Sequence, residues 1–189
     1  GRFHGGLGLV NVGSSMLFGG ISGSSTSDTA SIGSVLIPEM RRRGYPAGFA
    51  AGLTVASSTM GMIIPPSIPL VIFAVTAQES VGRLFLGGVV PGLMVGFFQL
   101  ALVFVIARRR AYPKEEIEFS VGLVWQQLLR SGVVLAMPLV VVGTVIFGIA
   151  TATESAALGV TYALLVGAFL IRHLTFSDVI RSLRLAAVT

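Results

Sequence analysis

Thirteen residues, Ser22 to Ser34, read SGSSTSDTASIGS, and nine of them are Ser, Thr or Asp. Hydroxyl oxygens, together with carbonyls freed by turns at Gly19, Gly20 and Gly23, are hard donors of the kind a cation such as Na⁺ takes. The N–H groups that open a helix attract an anion instead. A second polar segment, Ala56 to Ser67, reads ASSTMGMIIPPS. Pro65 and Pro66 lack the amide N–H and collide with the preceding turn, so an α-helix cannot run through them. Ile64, just before the pair, is pushed toward an extended backbone. The candidate ion- and substrate-binding residues are therefore Ser22, Gly23, Ser24, Ser25, Thr26, Ser27 and Asp28 in the first segment. In the second they are Ser57, Ser58, Thr59, Gly61, Pro65, Pro66 and Ser67. Ser24, Ser25, Ser58 and Gly61 are the candidate Na⁺ ligands within that set. The first composition also suits a packing seam or an exposed loop, and the second a plain proline kink.

Asp28 is the only acid of the first segment. A carboxylate buried in a membrane is costly unless it is paired or hydrogen-bonded. Asp28 either coordinates an ion and holds the tip, or caps the helix that follows. No catalytic residue is expected. Gly20-Ile21-Ser22-Gly23 matches the G-x-S-G of rhomboid intramembrane serine proteases, but such a serine needs a histidine base within reach. His4 and His173 lie outside every apolar stretch and form no metal motif.

The elements that would position these groups follow from composition. Of 189 residues, 53% are hydrophobic and 11% charged, none is Cys, and the mean hydropathy is +0.89. Soluble domains carry about 25% charged residues. Disordered, disulfide-stapled and thiolate-metal chains are thereby excluded. Uncharged stretches occupy 44–78, 84–107, 131–153 and 155–171, and a helix needs about 20 apolar residues to cross the hydrocarbon core. The first stretch is too long for one straight helix, so the proline pair breaks it. Residues 1–40 place the polar tip between two short apolar arms, which predicts a re-entrant helical hairpin. Irregular backbone survives at membrane depth only against protein or a wet cavity. Residues 119–130 and 176–186 alternate as amphipathic helices that lie along the membrane surface, or are the ends of spans extending into water. The predicted fold is all-α and integral to the membrane: a hairpin, about four spans with one broken, and interfacial arms.

The net charge of +5 has a topological origin. With alternating spans, eleven basic residues fall on one side and Arg83 alone on the other, which places the arginine side in the cytoplasm. This excludes nucleic acid as a partner. Gly88, Gly92 and Gly96, like Gly48 and Gly52, have the four-residue spacing that lets helices pack closely. Glu154 is expected to cap the span 155–171. A polar hairpin tip and a broken helix at mid-membrane are the means by which secondary transporters hold an ion beside a substrate. A channel or a non-transporting scaffold is the alternative.

Phe18-Gly-Gly-Ile-Ser-Gly-Ser-Ser-Thr-Ser-Asp-Thr-Ala, with Ile32-Gly33 and Ile37-Pro38 beyond it, resembles the hairpin motif of the large membrane subunit of TRAP (tripartite ATP-independent periplasmic) transporters. Further blocks match in order: Arg43-Gly44-Tyr45, Phe49-Ala50-Ala51, Ile63 to Pro69 and Leu84 to Gly92. Ala107-Arg108-Arg109 with Tyr112-Pro113, Thr153 to Ala157, Gly159-Val160 and Tyr162-Ala163 follow. Met62 and Ala152 stand where the family often has Pro. The resemblance implies an elevator-type, inverted-repeat, Na⁺-coupled importer of the bacterial or archaeal cytoplasmic membrane, without an organic cofactor. It works with a small four-helix membrane subunit and a periplasmic substrate-binding protein. Its substrates are organic acids such as C4-dicarboxylates, keto acids, sugar acids or sialic acids. The two polar segments would form half of the ion and substrate site, and the amphipathic stretches would be arm helices. The chain opens with Gly1-Arg2 and shows no second hairpin, so it is expected to be the central portion of a longer subunit.

Overall fold

The structure, a computed structural model, describes residues 5–110, 112, 121–171 and 179–184; for 121, 123–131, 170 and 171 it describes the backbone alone. Among the described residues all regular structure is helical. The elements are α1 (Gly6–Ser22), α2 (Ser25–Arg42), α3 (Ala47–Ser58), α4 (Ile68–Ala77), α5 (Val81–Arg109), α6 (Val121–Ile146) and α7 (Ala152–Leu165).

α1 and α2 form a helical hairpin with a two-residue turn. Gly23 adopts φ +62°, a conformation that costs other residues a steric penalty, and its N–H closes on Gly19 O at 3.1 Å. Ser24 is extended, and its carbonyl accepts the Asp28 N–H at 3.0 Å to start α2. Both arms pack on α3.

α3 stops at Ser58, passes into a 3₁₀ turn over Thr59–Met62, and gives way to irregular backbone before α4 begins. The Pro65–Pro66 bond is cis. Ser67, extended and buried, reopens the helix: its Oγ accepts from Leu70 N at 3.5 Å and donates to Met62 O at 2.7 Å. The stretch 44–78 is thus two helices around a break.

α5 is the longest element, 29 residues, or about 43 Å at 1.5 Å per residue. It exceeds the roughly 30 Å hydrocarbon core. Its outer face is apolar, with Leu93, Phe97 and Phe98 exposed by 51%, 68% and 63%. Ala152–Phe169, which runs from α7 into a π-helical turn, is also long and apolar enough to cross a membrane.

Two findings bear on the sequence reading of the second half. The backbone runs without interruption from Val121 to Ile146, so residues 121–130 and 131–146 share one helix, as the alternative of a span extending beyond the membrane has it. That helix ends at Ile146 rather than near 153, because Gly148 turns the chain at φ +67° and Thr151 opens α7. Thr151 Oγ1 accepts from Glu154 N at 3.3 Å while Glu154 Oε2 accepts from Thr151 N at 2.8 Å, a reciprocal cap. Ala152 occupies the first helical position, where Pro also fits, so that departure from the family pattern leaves the backbone path intact. Of the stretch 176–186 only 179–184 is described, and it is helical; the rest lies outside the described residues.

Gly88, Gly92 and Gly96 of α5 make close contacts. A Cβ on Gly88 would lie 2.6 Å from Ile63 O, and one on Gly92 2.6 Å from Ile64 Cγ1. The start of the helix break is therefore seated on the face of α5. Gly48 and Gly52 differ: no described atom lies within 4 Å of a Cβ built on either.

Candidate ion and substrate site

Glycine lets the two irregular segments touch. A Cβ on Gly19 of α1 would lie 2.9 Å from Gly61 Cα and 3.0 Å from Gly61 N, and one on Gly23 would lie 2.8 Å from Pro66 O. Ile68 N donates to Gly23 O at 3.3 Å, a main-chain bond from the far side of the break to the hairpin turn. Hairpin tip and helix break are thus one packed unit.

Asp28 lies within that unit, fully buried. Its Oδ1 accepts a hydrogen bond from Ser22 Oγ. Its Oδ2 faces Gly61 and Gly19 and has no hydrogen-bond partner among the described residues. A Cβ on Gly61 would fall on Oδ2. A buried carboxylate oxygen without a donor is costly, and such groups in native proteins call for an ion, a water or a function. The donor set there consists of a carboxylate, hydroxyls and backbone at a turn, which is hard oxygen chemistry and fits a small alkali cation.

The other expected site residues divide by what they touch. Ser22 also accepts Ser24 N at 3.1 Å and so ties the turn to Asp28. Ser24 Oγ bonds Thr26 Oγ1 at 3.0 Å, and Thr26 and Ser27 are exposed on the first turn of α2. The Ser25 carbonyl accepts from Thr29 Oγ1 at 2.8 Å. Ser58 is buried one turn before Gly61 and donates to Thr54 O at 2.8 Å, leaving its lone pairs available. Thr59 donates back to Ala56 O of α3 at 2.7 Å. Pro65, Pro66 and Ser67 shape the break, and Ser67 is engaged as a helix cap.

Ser57 belongs to a different cluster. Its Oγ bonds Ser15 Oγ at 2.8 Å and donates to Asn11 Oδ1 at 3.2 Å, and Asn11 Nδ2 donates to Thr54 Oγ1 at 2.8 Å. All four side chains are fully buried between α1 and α3. Asn11, Ser15 and Thr54 were not among the sequence candidates. Their signal was spacing: Asn11 and Ser15 lie four apart on one face of α1, and Thr54 lies three and four before Ser57 and Ser58 on α3.

A cavity of about 260 Å³ opens on the other side of the tip, lined by Ser22, Gly23, Phe85 and Val141 among others. Its lining is overwhelmingly apolar and offers no charged partner to a carboxylate.

The whole chain, residues 1–189, matches the family model described as "Tripartite ATP-independent periplasmic transporter, DctM component". The chain belongs to this family of membrane-embedded permeases. It is 38% identical over 175 residues to the isethionate TRAP transporter permease protein DctMQ of Oleidesulfovibrio alaskensis, covering 93% of this chain and 28% of that protein. It is 38% identical over 197 residues to the C4-dicarboxylate TRAP transporter large permease protein DctM of Rhodobacter capsulatus, covering 97% and 44%. With the 2,3-diketo-L-gulonate TRAP transporter large permease protein YiaN of Escherichia coli it shares 34% identity over 177 residues, covering 94% and 41%. The chain spans less than half the length of each of these relatives, all of which are named as transport permeases.

Proposed function

We propose that this chain carries half of the ion and substrate site of a sodium-coupled importer of organic acids. The supporting observation is the buried Asp28 oxygen, without a protein partner, at the junction of hairpin tip and helix break. A Na⁺ seated against Oδ2 replaces the missing donor and neutralises the carboxylate. Gly61 keeps that volume open, and Ser58, Ser24 and Ser25 supply further oxygens from the two ends of the unit. The first turn of α2, Ser25 to Ser27, presents N–H groups toward the exposed tip and suits a substrate carboxylate. Neither polar segment contains Arg or Lys. The substrate's charge is therefore met by helix N–H groups, hydroxyls and the bound cation.

The relatives are named for isethionate, C4-dicarboxylates and a diketo sugar acid, all organic acids. In the proposal the chain is part of the large membrane subunit in a bacterial or archaeal cytoplasmic membrane. It operates with a small membrane subunit and a periplasmic substrate-binding protein, and the hairpin and broken helix move together as the carrying element of an elevator.

The test is uptake of a radiolabelled dicarboxylate by proteoliposomes holding the complete transporter. Uptake that requires both an inward Na⁺ gradient and the binding protein is the expected result. Conductance independent of the gradient and of the binding protein would replace the proposal with a channel.

A further inference from the structure

Arg41-Arg42-Arg43-Gly44-Tyr45-Pro46 closes α2, and Arg108-Arg109-Arg110-Ala111-Tyr112-Pro113 closes α5; the two hexapeptides differ at one position. They also end their helices by the same bond. Tyr45 N donates to Met40 O at 3.0 Å and Tyr112 N to Ala107 O at 3.1 Å, each five residues back. This is the long bond of a Schellman cap. In α2 the cap is completed by Gly44, at φ +84°, whose N–H bonds Arg41 O at 3.0 Å.

The two caps are clasped together. Tyr45 and Tyr112 turn back beneath their helix ends, 4% and 6% exposed, with ring centroids 4.9 Å apart, and Phe49 lies 5.0 Å from Tyr112. The clasp brings both arginine triplets to one end of the bundle, and all six arginines are exposed. Glu39 bonds Arg43 at 2.8 Å and approaches Arg42 at 3.9 Å. In the sequence, the two arginine triplets with Glu39 and the following Lys114, Glu115, Glu116 and Glu118 hold seven cations against four acids.

An apolar track leads to this cationic end. Phe98, Leu102, Val105 and Arg109 recur at i, i+4, i+7 and i+11, one face of α5. The three apolar members are exposed by 63%, 59% and 46%. We propose that the paired arginine caps bind the phosphate of an anionic phospholipid whose acyl chains lie along Phe98, Leu102 and Val105. Guanidinium groups hold phosphate oxygens bidentately. The track supplies what an acidic protein surface would leave unmatched, a hydrocarbon path ending at the charge. Bias of positive charge toward one membrane face needs no such clasp, since it depends only on counts in the connections.

The test is native mass spectrometry of the complete, detergent-solubilised transporter, with phosphatidylglycerol and phosphatidylcholine supplied together. The wild type should retain phosphatidylglycerol selectively, and the selectivity should fall as salt is raised. The single exposed substitution R109Q should reduce it about fivefold, and R42Q/R43Q/R108Q/R109Q by more than about tenfold, from the usual strength of one cation at an anionic lipid surface. R83Q, at the other membrane face, should leave it unchanged. Equal retention of both lipids by the wild type, or wild-type selectivity in R109Q and the quadruple variant, overturns the assignment. Retention of polyglutamate in preference to phosphatidylglycerol also overturns it, in favour of an acidic protein partner.

Discussion

Two buried polar clusters lie along α1, and they differ in whether they are closed. In the first, Asn11, Ser15, Thr54 and Ser57 exhaust one another and nearby carbonyls: Thr54 Oγ1 donates to Ala50 O at 2.8 Å and Ser57 Oγ reaches Thr54 O at 3.1 Å. In the second, one turn beyond Ser15, Asp28 keeps one oxygen bonded to Ser22 and the other without a partner against Gly19 and Gly61. A closed network fixes the register of two helices and leaves nothing for a ligand. An open one, holding the single carboxylate of the tip, is where a cation gains most. The seam therefore positions, and the tip is the part proposed to bind.

Three substitutions would break or sharpen that contrast. Gly61→Ala should have the largest effect, because the new methyl clashes with Asp28 Oδ2. Sodium-driven uptake in proteoliposomes should fall about 10- to 100-fold, the equivalent of an overpacking cost of about 1–3 kcal/mol, with membrane insertion unchanged. Wild-type uptake would separate Gly61 from the site. Asn11→Leu should come next and should act on stability. Thr54 and Ser57 retain backbone partners, so the loss should be about 1–2 kcal/mol, seen as a lower unfolding temperature. The half-saturating Na⁺ concentration should stay within about twofold, since the seam holds no ion in this account. A large shift in Na⁺ affinity would merge the two clusters. Gly52→Ala should have the smallest effect and the opposite sign. It lies inside α3 with open space around it, so Ala should stabilise by about 0.5–1 kcal/mol through helix propensity alone. Destabilisation in the complete transporter would mean that a neighbour packs on that face.

The same contrast explains what could be read from the sequence. The hairpin tip was visible because nine hydroxyl or acidic residues in thirteen overwhelm the surrounding apolar composition. The helix break was visible because Pro65 and Pro66 remove two successive N–H donors and crowd the turn before them, whereas a single proline such as Pro91 stays inside a helix. The seam was not, because a lone Asn11 and a lone Thr54 in apolar arms leave no compositional mark, and their pairing across 43 positions is tertiary. Nor was the Gly19–Gly61 contact: each glycine invites a close approach, and only the packing of α1 on the 3₁₀ turn says to what. Gly88 and Gly92 met the expectation of close approach, whereas the similarly spaced Gly48 and Gly52 meet nothing within the described residues. Small-residue spacing permits contact without specifying the neighbour. At 130/131 the helix continues, the second of the two expectations for that stretch, for a related reason. A change from amphipathic to uniformly apolar composition marks a change of surroundings, and helical hydrogen bonding continues through it.

The most direct measurement of the central claim is the thermal stability of the complete transporter titrated with NaCl against KCl, for wild type and Asp28→Asn. A ligand that binds only the folded state stabilises it by about 2.7 kcal/mol at a hundred times its dissociation constant. The wild type should gain stability with Na⁺ and not with K⁺, and Asp28→Asn should lose most of that gain while remaining folded. An undiminished Na⁺-specific gain in Asp28→Asn would contradict it.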